Sequence, residues 1–449
     1  MKRFLILAGL ILSLSIVAWT QVAPMAASNG SVTDLGSLGS GNSIAYGVSA
    51  NGEVVAGIST VTGGIGGGND RGFRWTAAGG IQDIDTNPDD GVMVRVHGIS
   101  ADGNTIIGEY GHYPECNPGC AFSWTPVLGF QILGSLPGGW YGPAPYGVSK
   151  DGGVIVGSAV GHAWLWTGTT GYVDLGTLPG SCCGAAAWAV SEDGTVVVGS
   201  SYDANMHNHA FRWTKAKGML DLGLLPGGSW AVGTGASTNG SVVVGEADTN
   251  VNCPPGIVGA CQVPFRWTKA TGLVALPVLP EKGGSVTTGV SADGKTVVGQ
   301  DSWNCCDWVA WRWTQATGKQ TINDWLADVG VDATAFNFYS AYAVTANGDG
   351  VVGQLTSGDA YLALVKANHS ATPTYSPRPG TYTGPQQVTI NDTAPTATIY
   401  YTTDGSTPTT SSTVYTGPIT ISVTTTIKSI ATVAGYPKSP VATGVYKIK

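Results

Sequence analysis

The chain has 449 residues, a formal charge of −8, 67 glycines and only 11% charged residues. Net acidity without a basic tract excludes a nucleic-acid or anionic-lipid surface. Scarce charge and abundant glycine disfavour helices held by surface ion pairs and favour turn-rich β structure, in a length that fits one large repeat array plus an appended module.

At the amino end Lys2 and Arg3 precede the apolar run Phe4 to Trp19, and Ala23, Ala26 and Ala27 follow. This is the layout of a secretory signal peptide over residues 1–27, with an uncleaved anchor as the other reading. No later run approaches the roughly 18 apolar residues of a membrane span, so no membrane contact beyond the leader is expected.

Val32 to Leu38 then reads as one short strand, and an eleven-residue unit begins to recur. Its seven copies are GVSANGEVVAG from Gly47, GISADGNTIIG from Gly98, GVSKDGGVIVG from Gly147, AVSEDGTVVVG from Ala189, GASTNGSVVVG from Gly235, GVSADGKTVVG from Gly289 and AVTANGDGVVG from Ala343. Each centres on Asp-Gly or Asn-Gly between a small-and-apolar run and a valine-rich run. That is a strong hairpin signal and predicts type I′ turns with positive φ at both central residues. Copies beginning 42 to 54 residues apart have the spacing of propeller blades or solenoid coils.

Every repeat follows one programme: strand a, the turn, strand b, a loop of variable length, an aromatic strand c, a short turn and strand d. Strand c carries Phe73 and Trp75, Phe122 and Trp124, Trp164 and Trp166, Phe211 and Trp213, Phe265 and Trp267, Trp311 and Trp313, and finally Tyr361 with Ala363. Aromatics at i and i+2 share one sheet face, and their presence in every repeat is what packing between sheets demands, so they are read as core. Strand d reads Asp-Leu-Gly at Asp174 and at Asp221, while the seventh repeat has none. Thr33-Asp34-Leu35-Gly36 at the head of the chain supplies the missing piece.

The expected fold over residues 32–366 is therefore all-β, a seven-bladed β-propeller closed by the N-terminal strand; an open solenoid would leave edges in need of caps. In the sixth repeat Ile322 to Phe338 has the spacing of one or two helical turns ending at Gly330. After a linker at residues 367–374, short alternating runs (Gln387 to Ile390, Thr396 to Tyr401, Thr424 to Ala431, Thr443 to Ile448) predict a small immunoglobulin-like β-sandwich over residues 375–449.

The combination of GVSxDG, VVVG, HAFRWT (His209 to Thr214) and DLGxLPGG (Asp221 to Gly228) resembles the HAF family of extracellular repeat proteins over about residues 32 to 366. That resemblance implies export and brings no catalytic residues. His162-Ala163-Trp164 keeps two of the three name-giving residues, and the other repeats depart from them. The tail segments YSPRPGTYTGPQQVTI from Tyr375, IYYTTDGSTPT from Ile399, YTGPI from Tyr415 and TTTIKSIATVAGYPKS from Thr424 resemble the chitobiase and β-hexosaminidase C-terminal type of β-sandwich. Such modules accompany glycan-active and surface proteins without hydrolysing anything themselves.

In a meandering sheet the a–b and c–d turns fall at one end of the ring, and the b–c and d–a loops at the other. The first set is short and constant; the second varies. The second set is expected to hold Tyr110, Tyr113, Trp140, Tyr141, Tyr202, Trp230, Trp303 and Trp308, candidate ligand-binding aromatics on a rigid scaffold, unless they merely close over the ring. The eight cysteines, Cys116 with Cys120, Cys182 with Cys183, Cys253 with Cys261 and Cys305 with Cys306, are placed in the same loops and read as disulfides of an exported chain, their connectivity open.

No catalytic, metal or cofactor site is expected. Asp102, Asp151, Asp193 and Asp293 are accounted for by turns. Glu109 and Glu246, each following a strand b glycine, could face a central channel, but the separation a glycosidase needs cannot be read from sequence. His207 and His209 alternate on one strand without a third ligand, and the glycine run Gly63 to Gly68 lacks the lysine and helix of a phosphate cradle. These observations lead to a secreted or cell-surface, non-catalytic module binding glycan or another envelope surface. A propeller glycoside hydrolase and a structural coat component are the alternatives, and a periplasmic location is the variant of export.

Overall fold

A computed structural model describes residues 30–61, 70–85, 93–112, 116–134, 142–181, 183–251, 253, 261–280, 282–302, 307–365, 372–392, 397–432 and 438–449, with the backbone alone at 112 and 116–118. The leader and most of the linker lie outside these residues. All seven repeated hairpins form, but not as type I′ turns. Positive φ falls only on their glycines, from 62° at Gly240 to 80° at Gly348, and not on the Asn or Asp before them.

The reason lies in the motif's serine. In the first hairpin the Gly52 N–H donates to the Ser49 carbonyl. The Ser49 hydroxyl accepts from the Val54 N–H and donates to Asn51 Oδ1, which also accepts the Glu53 N–H. The acidic or amide side chain thus caps a longer loop from within, and a two-residue turn would leave no room for it.

These hairpins build seven four-stranded antiparallel sheets. Sheets one to six span residues 43–83, 93–132, 144–174, 185–221, 231–275 and 284–321, each in the order a, b, c, d. Sheets five and six are joined by a single parallel pair, Gln262 with Gly284. The seventh takes strands a to c from Phe338–Val344, Gly350–Leu355 and Ala360–Val365, and its outer strand is Gly30–Gly36 from the head of the chain. Asp34 pairs with Tyr361, and Gly30 with Val365. The strand expected from Val32 to Leu38 sits where the sequence placed it, shifted by two residues.

Each sheet packs on the next, and sheet seven packs on sheet one. Buried residues accordingly fall into one cluster per junction: Ile155 and Trp164 of sheet three meet Ile107 of sheet two, and Val352 and Leu362 of sheet seven meet Phe73 and Val55 of sheet one. The first aromatic of every strand c, including Tyr361, is fully buried.

A slot for that aromatic exists because strand b carries glycine opposite it. A Cβ on Gly199 would lie 2.0 Å from the Ala186 carbonyl oxygen and 2.9 Å from Phe211. Equivalent contacts recur at Gly57, Gly108, Gly157, Gly245 and Gly299, each with its own strand a carbonyl and strand c aromatic.

Backbone bonds tie the hairpins into a circle. Ala50 N–H donates to Ala101 O, Asp102 to Lys150, Lys150 to Glu192, Asp193 to Thr238, Thr238 to Ala292, and Ala292 to Ala346, all at 2.8–3.0 Å. The sixth repeat contains helix α1 (Ile322–Asp328), inside the stretch expected to make one or two helical turns, N-capped by the Thr321 hydroxyl on the Asp324 N–H, with Ile322, Trp325 and Leu326 turned into the core.

The tail forms a three-stranded sheet (Thr374–Ser376, Gln386–Asn391, Ile419–Ile421) and a five-stranded one (Gly380–Tyr382, Ala442–Ile448, Thr425–Thr432, Thr398–Thr402, Thr413–Val414). Val388, Ile390 and Ile421 from the first share a core with Ile399, Ile427, Ala431 and Tyr446 from the second. No helix among the described residues is long and apolar enough to cross a membrane.

Candidate functional site

Strand a of every sheet contains a bulge at the same place. In sheet one Ala45 pairs with Gly57 and Gly47 with Ala56, which leaves Tyr46 as the extra residue. The same shift leaves His97, Tyr146, Trp188, Thr234, Thr288 and Tyr342 unpaired in the other six. A bulge re-aims the residue it releases, and all seven line one axial cavity of about 230 Å³ together with the two residues after each. The small residue next in line is needed for close packing at the hub. A Cβ on Gly47 would lie 2.9 Å from Ile99, and one on Gly147 2.9 Å from the Ala189 Cα.

The lining is lopsided. Five consecutive sheets, from seven through four, contribute Tyr342, Tyr46, His97, Tyr146 and Trp188. Ring centroids lie 4.9 Å apart for Tyr342 and Tyr46, 5.4 Å for His97 and Tyr146, and 4.5 Å for Tyr146 and Trp188. Sheets five and six contribute Thr234 and Thr288, whose hydroxyls donate to the Thr287 and Ala341 carbonyls of the following sheet. An aromatic crescent therefore faces two threonines, and every one of the seven is half-buried.

The residue after each strand b glycine, singled out in sequence for Glu109 and Glu246, stands behind this lining. Glu109 Oε1 lies 3.6 Å from His97 Nε2, and that neighbour holds the carboxyl below its usual range against the opposing effect of burial. Burial raises Glu246, whose Oε2 accepts from Gln262 Nε2 at 2.7 Å. Ser200 accepts from Trp188 Nε1 at 3.4 Å. Burial raises the Tyr46, Tyr146 and Tyr342 hydroxyls, so they remain neutral donors.

Of the eight aromatics expected on the variable loops, Tyr113, Trp140, Tyr141 and Trp303 lie outside the described residues. Tyr110 and Tyr202 are corrected to strand b: Tyr110 is inside Ile106–His112 and packs on Phe130 with centroids 5.5 Å apart, and Tyr202 ends Val196–Tyr202, 39% exposed. Trp230 is half-buried just before sheet five, where its N–H donates to Asp248, and Trp308 is half-buried just before strand c of sheet six. These four belong to four different sheets.

The seven channel residues were missed because each sits one position ahead of the repeated unit. The signal was there: that position alternates between Tyr, His, Trp and Thr while its surroundings stay small.

Cys253 and Cys261 form a disulfide. Cys120 and Cys183 are disulfide-bonded as well, to partners outside the described side chains; the side chains of Cys116, Cys182, Cys305 and Cys306 are among those not described. Cys120 and Cys261 lie on strand c, within Cys116–Thr125 and Cys261–Thr268, rather than in a loop. The strand has simply extended backwards along its partner.

The two histidines also gain company. The loop after strand b of sheet four folds Asp203 against them, with Asp203 Oδ2 3.7 Å from His207 Nδ1 and 3.6 Å from His209 Nε2.

Among solved structures, the chain is similar to TolB from Acinetobacter baumannii (14% identity, 61% of this chain and 64% of that chain, TM-score 0.40). It is also similar to the Dos1 propeller (11%, 75% and 95%, TM-score 0.41) and to a prolyl endopeptidase (9%, 80% and 50%, TM-score 0.45). No curated protein matches the chain in sequence. Residues 377–443 match the family of the chitobiase/beta-hexosaminidase C-terminal domain.

Proposed function

We propose that the chain is an exported seven-bladed β-propeller of the HAF-repeat type followed by an immunoglobulin-like sandwich, and that it is a non-catalytic module binding glycan. The observation that carries this reading is the crescent of Tyr342, Tyr46, His97, Tyr146 and Trp188 about the axial cavity. Flat amphipathic rings present faces to the C–H surface of a sugar, while Glu109 and Ser200 stand behind the His97 and Trp188 rings and hold them. Tyr202 at the end of strand b of sheet four, with Trp230 and Trp308, serves a longer glycan or an envelope surface beyond the axis. Export is supported by the leader-like amino end, by four described cysteines committed to disulfides, and by the family matched in the tail.

A glycan array probed with the wild-type chain and with Trp188→Ala and Tyr146→Ala tests this. Binding by the wild type that both variants lose, with unchanged melting, supports the axial site; binding that both keep would overturn it.

One observation favours a second reading, glycoside hydrolysis. The surroundings of Glu109 and Glu246 push their carboxyls in opposite directions, as an acid and base pair requires. Release of reducing sugar that is lost in Glu109→Gln or Glu246→Gln would replace the binding reading. A coat component held by intermolecular disulfides is disfavoured by the cysteines already paired within the chain, and non-reducing gels decide it.

A further inference from the structure

We infer that Asp203, His207 and His209 form a binding site for a divalent transition metal of the zinc class, on the outer half of sheet four and away from the axial channel. One ligand atom from each of the three lies within 4.8 Å of the others. A tetrahedral ion about 2.1 Å from its ligands sets neighbouring donors roughly 3.4 Å apart. The Asp203 carboxylate oxygen is already 3.6 and 3.7 Å from the two imidazole nitrogens, so little movement is needed. Two imidazoles and one carboxylate make a donor set suited to zinc and its transition-metal neighbours rather than to calcium or magnesium.

The surroundings hold these donors in place. Asp203 Oδ1 accepts the N–H groups of Asn205 and His207, both at 2.8 Å, which fixes the carboxylate with Oδ2 toward the histidines; Asn205 Nδ2 reaches that second oxygen at 3.3 Å. Met206 adopts φ of 65°, an uncommon conformation for a residue with a side chain, and this kink turns His207 back beside His209. Behind the site His209 Nδ1 lies 2.9 Å from the Asp221 carboxylate on strand d. Carboxylate, histidine and metal in series is the arrangement that fixes a ligating imidazole's tautomer and raises its basicity.

Sheet three supplies an internal comparison. It repeats the cross-strand pair, His162 Nδ1 with Asp174 at 3.0 Å, but only Val160 and Gly161 separate its strands b and c. No counterpart of Asp203 or His207 can exist there. The His–Asp pair alone belongs to the repeat, whereas the longer loop of sheet four converts it into a site. Three protein donors leave at least one coordination position for water or an outside donor.

The test is calorimetric titration of the tag-free, disulfide-intact chain with Zn²⁺, and absorption spectroscopy with Co²⁺. One equivalent of Zn²⁺ and the visible bands of a tetrahedral Co²⁺ centre are expected in the wild type. His207→Ala and His209→Ala should each weaken binding at least tenfold, and Asp221→Asn about 10- to 100-fold. Asp203→Asn keeps the Oδ1 bonds of the loop and should fold normally while losing the metal; His162→Ala should bind as the wild type does. Absence of saturable binding at millimolar Zn²⁺, or equal loss in His162→Ala, would overturn the proposal. The axial lining of sheet four, Trp188 to Val190 on strand a, is not touched by these variants.

Discussion

The Ala346 N–H donates to the Ala50 carbonyl at 3.2 Å, joining the last repeated hairpin to the first. These residues are 296 positions apart in sequence, and their bond completes a circle whose other six links run between consecutive repeats. Ring closure is therefore made twice, at the hub by hairpin backbones and at the rim by Gly30–Gly36 on Ala360–Val365.

The two closures separate by mutation. Ala346 is the first central residue of the turn from Thr345 to Gly348, where proline's fixed φ is tolerated. Ala346→Pro then removes one donor and should cost about 0.5–1.5 kcal/mol, read as a small fall in the denaturant midpoint. Deleting residues 30–36 uncovers the strand c edge of sheet seven. A large fall in melting temperature with concentration-dependent association is expected, by calorimetry and light scattering. Unchanged melting after that deletion would refute closure at the rim.

The strand b glycines tolerate no side chain. Gly199→Ala forces a methyl group against the Ala186 carbonyl and should cost about 3 kcal/mol or more in urea unfolding, the upper range of overpacking. Trimming Phe211 to Leu should not rescue it, because the nearer clash is with backbone. Phe211→Ala alone empties a fully buried site and should cost about 3–5 kcal/mol.

Acid should loosen the hairpins in a way the sequence can be edited to remove. At Asp102 and Asp193 burial opposes ionisation, but the motif serine and the groups of the residue two positions on outweigh it; at Asp293 burial is outweighed first by the Lys295 side chain, then by the Lys295 N–H and Ser291; at Asp151 the Gly153 N–H leads. All four carboxyls end below their ordinary value of 3.8. A depressed carboxyl adds stability that is complete above its unfolded value and disappears as pH falls through the folded one. The wild-type melting temperature should drop from pH 5 to about pH 3, and the quadruple Asp→Asn variant should drop less, since Asn51, Asn239 and Asn347 already fill this role in other hairpins.

A buried ion pair fixes the d–a connection ahead of sheet six. Asp301, fully buried, accepts from Lys319 Nζ at 2.9 Å, from the Leu279 N–H at 2.7 Å and from the Ser285 hydroxyl, while the ammonium sits 3.8 Å from the centre of the Trp311 ring. Burial pushes Lys319 down to about 8, with Asp301 opposing. Asp301→Ala strands that ammonium and should cost about 3–5 kcal/mol. Lys319→Met should cost less, because the carboxylate keeps its other donors; guanidinium unfolding of the two variants compares them.

The bulge residues that line the axial cavity lie outside the repeated motif. Alternation along strand a places Ala45 and Gly47 correctly but gives no warning that Tyr46 falls between two paired positions. The loop aromatics were conspicuous in sequence for their variability, yet Tyr110 turned out to serve a ring contact inside sheet two. The same blindness applied to Asp203, which approaches His209 only because the loop kinks at Met206.

Sequence by itself determined the seven hairpins, the packing of the strand c aromatics between sheets, helix α1 and the loan of the first strand to the last sheet, although the second aromatic is only half-buried at Trp124, Trp166, Trp213 and Trp313. Each follows from local turn chemistry or from a period of two, and repetition averages away the noise. Tertiary structure alone decided which side chains meet the axis and which carboxylate meets the two histidines. Those outcomes depend on a strand a carbonyl pressed against a strand b glycine, and on a kinked loop, contacts whose partners have no fixed spacing along the chain.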